Sequence, residues 1–358
     1  MNSIFHGDCL QVLPTFQANT FDSLVTDPPA SISFMEQAWD ADRGGRRQWV
    51  SWLSQVMREA LRVLKPGAHG LVWAIPRRSH WTALALEDAG YEIRDCLCHY
   101  FLSGFPKSLN VGKGIDKKIG VKRQVVGSRS AADIRQGNYV GSPKAMTYEY
   151  TSAASPEAKQ WEGWGTHLKP AIELWWLVRK PLAEKTVAAN VLKWGTGALN
   201  IDGSRIPVHQ PKGNPSEAAG GWERSYKAKG TRPGVFAGVP NNRGQPRPAD
   251  LHPDTRYPSH FLVSDWELLG DHTGFFLPPI YCPKARKCRG EGNHHPTVKP
   301  VELLKYFITL LTRPGGHVLD CLAGSFSTGV AAQELGCAFT GIEMDSKYVQ
   351  IGVRRLSA

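Results

Sequence analysis

The chain has 358 residues, 41% of them hydrophobic and 21% charged, with a formal net charge of +11. That length and composition fit one large α/β domain with an insertion, or two domains, and exclude general disorder. No apolar run of about 18 residues occurs, so no membrane span is expected, and the start MNSIFHGDCLQVLP, with Asp8 early, does not read as a secretion signal.

FDSLVTD (21–27) is a short apolar run that ends in Asp-Pro-Pro, which predicts a buried strand stopped by proline. WVSWLSQVMREALRVLKPG (49–67) carries apolar residues at helical spacing and ends in Lys-Pro-Gly, a helix stop. HGLVWAIP (69–76) predicts a strand, SHWTALALEDAG (79–90) a helix with a serine start and a glycine stop, and YEIRDCLCHYFL (91–102) a third strand. Strands alternating with helices at this pitch predict a parallel sheet covered on its faces. HLKPAIELWWLVRKPL (167–182) predicts a strand with Trp175 and Trp176 facing opposite ways. The tail resumes the alternation: helix 301–311, strand 315–320, helix 327–336, strand 337–345 and a closing helix. Both ends are therefore expected in one sheet.

The middle differs. Residues 107–258 hold 24 Lys and Arg against 12 Asp and Glu, a net +12, while the rest of the chain holds 19 against 20. Trp161, Trp164, Trp222, Tyr226 and Phe236 interleave with these charges, which points to a nucleic-acid partner rather than a merely solvated basic loop. Residues 209–258 are rich in Pro, Gly and charge, a composition of loops. The seven cysteines have no framework spacing; Cys96 and Cys98 share one face of a strand, and Cys282 and Cys288 lack a CxxC partner. Reduced thiols are expected there rather than a zinc site, and no metal is expected.

The most informative segment is GGHVLDCLAGSFSTGVAAQELGCAFTGIEMD (315–345). A strand ends at Asp320, a loop of small residues (Ala323, Gly324, Ser325) turns into a helix, and the next strand ends at Glu343. Small residues let the backbone approach a ligand, and an acid at the second strand's end can bind ribose hydroxyls. The spacing matches neither a dinucleotide G-x-G-x-x-G nor a phosphate loop, which disfavours NAD and ATP.

Together LDCLAGSFSTG, GIEMD, TDPP and HPTVKP resemble the beta-class DNA amino-methyltransferases, which modify N6 of adenine or N4 of cytosine with S-adenosylmethionine. The order, with the catalytic motif first and the cofactor motif last, is that class's permuted order. FLSGFPKS (101–108) and WGTHLKPAIELWWLVRKP (164–181) look like a phage-type subset. The resemblance implies a Rossmann-like α/β catalytic domain over residues 1–106 and 281–358, with a basic target-recognition insertion over 107–280. It implies that Asp320 orients the methionine amino group, with Leu322, Ala323, Gly324, Ser325 and Thr328 around the methionine portion. Glu343 would hold the ribose hydroxyls, Asp8 with Cys9 would lie at the adenine, and Thr297 and Lys299 would meet the methionine carboxylate.

Asp27, Pro28 and Pro29 would then be the catalytic group. An exocyclic amine is a poor nucleophile because its lone pair is delocalised into the ring. A carboxylate and a backbone carbonyl that accept its two N–H groups favour a pyramidal nitrogen, and prolines fix the carbonyl geometry. The chain has no Pro-Cys dipeptide, the nucleophile signature of cytosine-C5 enzymes. The first catalytic residue being aspartate favours N6 of adenine, with N4 of cytosine the alternative. The family places an aromatic after the two prolines, and here the residue is Ala30. Either Phe34 or Trp39 supplies the face that stacks on a flipped base, or the chain is a weak or inactive DNA-binding relative. The resemblance further implies duplex DNA as partner, a monomer or homodimer, and a bacterial or phage-infected cytoplasm.

Overall fold

The computed structural model describes residues 2–101, 108–130, 147–207, 255–256, 258–263 and 292–357. The chain divides into two compact units, one of Met1–Tyr100 with Glu173–Ala358 and a smaller one of Phe101–Ile172.

The larger unit is built on an eight-stranded sheet. Its strands are β1 (Asn2–His6), β2 (Phe21–Thr26), β3 (Leu64–Ala74) and β4 (Glu92–Tyr100), then, after β5 (Gln124–Ser130) and β6 (Thr147–Ser152) of the smaller unit, β7 (Ile172–Arg179). The short pair β8 (Ile206–Pro207) and β9 (Thr255–Arg256) precedes β10 (Phe261–Val263), β11 (His317–Asp320) and β12 (Ala338–Glu343). The spatial order β1-β12-β11-β2-β3-β7-β4-β10 confirms that both ends of the chain share one sheet. From β1 through β3 every neighbouring pair is parallel, as expected of strand–helix alternation.

Beyond β3 the sheet departs from the all-parallel expectation. β7 pairs antiparallel with β3, from Ala74↔Leu174 to His69↔Arg179, and stands between β3 and β4. β10 adds to β4 in parallel. The segment 107–280, expected as one insertion, therefore contributes two strands to the central sheet. The stretches 209–254, Cys282 and Cys288, and most of FLSGFPKS lie outside the described residues.

Side-chain alternation fills a core on each face of the sheet. Leu24, Val72 and Leu319 pack on the helices Arg46–Val63 and Ser79–Asp88, while Val25, Leu71 and Val318 pack on Val301–Leu311 and Ser327–Glu334. Trp175 and Trp176 do face opposite ways, into the second and first core respectively. The helix stops at Val63, just before the Lys-Pro-Gly expected to end it. Beyond the stop, Lys-Pro-Gly makes the irregular start of β3, where the register with β2 shifts. Asn190 Nδ2 and Thr196 Oγ1 both donate to the Pro66 carbonyl there, at 2.8 and 2.6 Å. Among the described residues no helix is long and apolar enough to cross a membrane.

Within the smaller unit β5 and β6 form an antiparallel ladder, and the helices Val111–Ile119 and Pro156–Gln160 pack together.

Candidate active site

Four adjacent parallel strands each deliver an acid to the same edge of the sheet. In spatial order these are Asp8 beyond β1, Glu343 at the end of β12, Asp320 at the end of β11 and Asp27 after β2. Ligands of open α/β sheets bind at carboxyl strand ends, and this row of carboxylates is addressed to a ligand rich in cationic or hydroxyl donors.

The loop after β11 is tied to both neighbouring acids. Asp320 accepts from Thr328 Oγ1 at 2.7 Å and from the Leu322 N–H at 3.2 Å. Burial pushes its carboxyl up to about 7, against the pull of these donors. Glu343 accepts from the Gly324 N–H through one oxygen and from the Asp345 N–H through the other, both at 2.8 Å. Burial raises its pKa as well, and those two amides oppose the rise. Gly324 sits at φ +52°, and a Cβ there would stand 3.1 Å from His295 Nε2, so this position needs glycine for conformation and for space. Ala323 is buried with its N–H on the Ile342 carbonyl at 2.9 Å, and Ser325 is held through its hydroxyl and carbonyl by Arg355.

Phe326, at the entrance of the helix Ser327–Glu334, adopts φ 62° and ψ 34°. Its ring is fully buried and lies where Cβ atoms on Gly341 and Gly352 would fall. The loop keeps a left-handed residue at its helix entrance, and two glycines elsewhere make room for the side chain.

Asp8 caps the helix Cys9–Val12 by accepting from the Leu10 N–H at 2.9 Å. Cys9 itself turns into the core, and burial, aided by Asp8, pushes its thiol up to about 12. Thr297 donates its N–H to His295 Nδ1 at 3.3 Å.

Lys299 is brought to Asp27, with Nζ 2.6 Å from Oδ2. Burial raises the Asp27 carboxyl above its ordinary value, against the pull of Lys299. Burial likewise disfavours the ammonium, but Asp27, Glu173 and Asp320 together hold the Lys299 pKa above the usual lysine value. The ammonium also lies over the Trp73 ring at 4.4 Å and the Trp175 ring at 5.9 Å. Glu173, two residues before Trp175 at the start of β7, adds a carboxylate at this edge because β7 runs antiparallel, and it lies 3.7 Å from His99 Nδ1. Glu173, Trp73 and His99 carry no motif of their own, and it is the β3–β7 pairing that brings Glu173 to this edge.

The chain after Pro29 is a clamped loop. The Pro29 carbonyl accepts from Trp49 Nε1 at 3.1 Å, and the Ala30 and Ser31 carbonyls accept from Arg78 at 3.0 and 2.6 Å. Buried Asp40 accepts from the N–H groups of Ser31, Ile32 and Phe34 at 2.6, 3.1 and 2.9 Å. Ser31, Ser33 and Glu36 take positive φ in this loop, and the carboxylate bonds stabilise that path. Ala30 is buried. Trp39 stacks on His295 with ring centroids 5.8 Å apart and an interplanar angle of 16°, and Tyr348 meets the same imidazole edge-on at 4.4 Å. Through His295 the Trp39 ring is thus joined to Gly324 and the Ala323–Ser325 loop, while Phe34 is half-buried on the same clamped loop.

The family model described as DNA methylase, of the N6/N4 group, matches residues 144–354, more than half of the chain. The chain is 47% identical over 74 residues to DNA adenine methyltransferase YhdJ of Escherichia coli (strain K12), covering 21% of this chain and 25% of that protein. It is 44% identical over 74 residues to type II methyltransferase M2.DpnII of Streptococcus pneumoniae, covering 21% and 28% respectively. The matches thus span about a quarter of each relative's length. Among solved structures, the M1.HpyAVI–SAM complex aligns over the whole of both chains at 15% identity and TM-score 0.46. The PvuII DNA methyltransferase (cytosine-N4-specific) aligns over 99% of this chain and 86% of that one at 14% identity and TM-score 0.49.

Proposed function

Because the chain belongs to the N6/N4 family of DNA methylases, whose methyl donor is S-adenosylmethionine, we propose that it methylates an exocyclic base amine in DNA, N6 of adenine rather than N4 of cytosine. The observation that carries this reading is the neighbourhood of Asp27 with its Lys299 partner and the Asp320–Glu343 loop, on the ends of adjacent strands.

The residues present fit the cofactor. Each Glu343 oxygen already accepts one backbone N–H, which leaves a lone pair apiece for two vicinal hydroxyls. Asp320, uncomfortable as a buried anion, gains from a cationic amino group beside it. Asp8 lies beyond the β1 end next to Glu343 and serves an adenine amine. When bound, the cofactor supplies an electrophilic methyl group on a sulfonium. The protein's own work is to hold the amine. Asp27 accepts one N–H, the Pro28 carbonyl accepts the other, and the nitrogen lone pair is left directed at the methyl group. Asp27 then takes the proton that the methylated nitrogen releases, which its raised pKa favours. Lys299 keeps the carboxylate oriented and charged before the amine arrives.

Trp39, not Phe34, is the better candidate for stacking on an extruded base, because its ring reaches the cofactor loop through His295. We assign target recognition to the parts of 107–280 outside β7 and β10, acting on duplex DNA with the protein as a monomer or homodimer in a bacterial or phage-infected cytoplasm. Adenine is favoured by the aspartate that opens the catalytic motif and by the adenine specificity in the name of one relative. The test is methylation of a random duplex library, digestion to nucleosides and mass spectrometry, with Asp27→Ala as control. N6-methyladenine is expected, N4-methylcytosine would change the base assignment, and 5-methylcytosine or no methylated nucleoside would refute the mechanism.

A further inference from the structure

In the smaller unit Trp161 and Trp164 are 44% and 59% exposed. They meet edge to face, with ring centroids 5.1 Å apart and an interplanar angle of 72°. Indoles left this open forgo the burial that normally makes tryptophan a core residue.

The ground beneath them is firmly built. Gly163, at φ +83°, turns the chain between the two rings. The Trp164 N–H donates to the Trp161 carbonyl at 3.2 Å, and the Trp164 carbonyl accepts from the Val111 N–H at 3.0 Å. Arg123 ties this turn to the rest of the unit through Glu162 and Asp116, both at 2.9 Å, and through Thr151 Oγ1 at 3.0 Å. Asp116 is saturated by Ser155 Oγ and the N–H groups of Ala154 and Ser155. A rigid mount holds the two rings in water.

The segment that carries the rings is net positive. Residues 101–172 hold eleven Lys and Arg against five Asp and Glu. Lys113 and Lys117, four residues apart on the helix Val111–Ile119, share a side of it and are exposed, as are Lys159 and Lys169. The Val111–Trp164 hydrogen bond fixes the start of that helix to the aromatic pair. Exposed aromatic faces among cations have the chemistry of nucleic acid, with π faces for bases and ammonium groups for phosphates.

We propose that Trp161 and Trp164 form a stacking platform for nucleobases opened out of a duplex, with Lys113 and Lys117 holding the adjoining phosphates. This rests on the DNA reading above and extends it to a second, non-catalytic contact. Protein interfaces are depleted in lysine relative to the rest of the surface, so the lysines argue against a protein partner.

The test is DNA binding by the full chain, followed by anisotropy on a labelled 30-base-pair duplex and on the same duplex with a three-nucleotide mismatch bubble. Trp161→Ala/Trp164→Ala should weaken binding to the bubble about fivefold to a hundredfold, more than to the paired duplex, without changing the salt slope. Lys113→Gln/Lys117→Gln should instead flatten the plot of log affinity against log salt, by up to about 1.8 for two phosphates. If the alanine pair unfolds, the Trp→Phe and Trp→Leu pairs decide, since phenylalanine should retain the bubble preference and leucine should lose it. Leucine performing as well as phenylalanine would overturn the platform. So would unchanged binding by a folded alanine pair, and if the unaltered protein still methylates DNA, the methylase reading survives that failure. An unaltered protein that binds neither probe would overturn both.

Discussion

Lys299 Nζ sits 2.6 Å from Asp27 Oδ2, so the residue that the resemblance assigns to the methionine carboxylate is held in this structure by the acid proposed to be catalytic. The pair joins the loop before the helix Val301–Leu311 to the end of β2. Both side chains are largely enclosed, at 11% and 26% exposure. The ammonium is further fixed by the Trp73 and Trp175 rings. On the function proposed above, Lys299 therefore stands between the cofactor side and the base side of the site.

Lys299→Met should be more harmful than loss of a surface salt bridge. Removing one partner of a buried pair leaves the other charge uncompensated, typically a loss of roughly 3–5 kcal/mol, and the partial exposure here places it toward the low end. Without Lys299 nothing offsets the burial that already raises Asp27. Its carboxyl would be protonated over more of the working range, and a protonated Asp27 accepts an amine proton poorly. The acid limb of the kcat/KM profile should therefore move to higher pH, together with a lower melting temperature. An acid limb that stays in place would show that Asp27 does not sense Lys299.

Asp320 predicts a pH dependence of cofactor binding. Its carboxyl titrates at about 7 in the protein alone, and only the anion attracts a cationic amino group. Affinity for S-adenosylmethionine should therefore increase on the order of tenfold from pH 6 to pH 8, and Asp320→Asn should flatten that increase. The stability sign is the reverse. Because the folded pKa lies above the unfolded value of 3.8, the carboxyl destabilises the fold progressively from about pH 4 to about pH 7. Asp320→Asn should raise the melting temperature at pH 8 relative to the unaltered protein, and by less at pH 5. Calorimetric titration and melting curves at these pH values check both halves.

Much of the catalytic edge can be read along the chain because a parallel strand buried on both faces writes itself as a short apolar run closed by a polar residue. Asp27, Asp320 and Glu343 each close such a run. What local pattern does not carry is pairing between distant segments. β7 enters between β3 and β4 roughly a hundred residues after β3, and only that placement brings Glu173 and Trp175 to Lys299. The Asp40 clamp was likewise invisible, since nothing in SISFMEQAWDAD singles out this one of its three acids or the three amides it gathers. The helix stop at Lys-Pro-Gly was legible, but its entry into β3 was not, because it depends on Asn190 and Thr196 holding the Pro66 carbonyl in a bulge.

Trp39→Ala should impair target capture more than cofactor binding. Base–aromatic stacking is worth about 1–3 kcal/mol, so KM for DNA should rise about fivefold to a hundredfold with a smaller change in KM for S-adenosylmethionine. Phe34→Ala should have a weaker effect, because it is Trp39 that joins the cofactor loop through His295. Steady-state kinetics with each substrate varied in turn make the comparison. A larger rise in KM for DNA with Phe34→Ala would transfer the stacking role to that residue.

Phe326 tests how the cofactor loop is held from below. Its left-handed backbone invites Phe326→Gly, which would relieve about 1–2 kcal/mol of backbone strain. The fully buried ring is worth more, since truncating such a phenylalanine typically loses about 3–5 kcal/mol. Phe326→Gly should therefore destabilise the protein despite easing the backbone, and should weaken cofactor binding through the Ala323–Ser325 loop. Gly352→Ala attacks the same contact from the other side, because a Cβ there would fall on the Phe326 ring. Overpacking of this kind typically destabilises by about 1–3 kcal/mol. Phe326→Leu shortens the ring's reach, so the double variant Phe326→Leu/Gly352→Ala should be more stable than the sum of its single variants implies. Urea unfolding of the four proteins measures the coupling, and strict additivity would mean that Gly352 is not reserved for this ring.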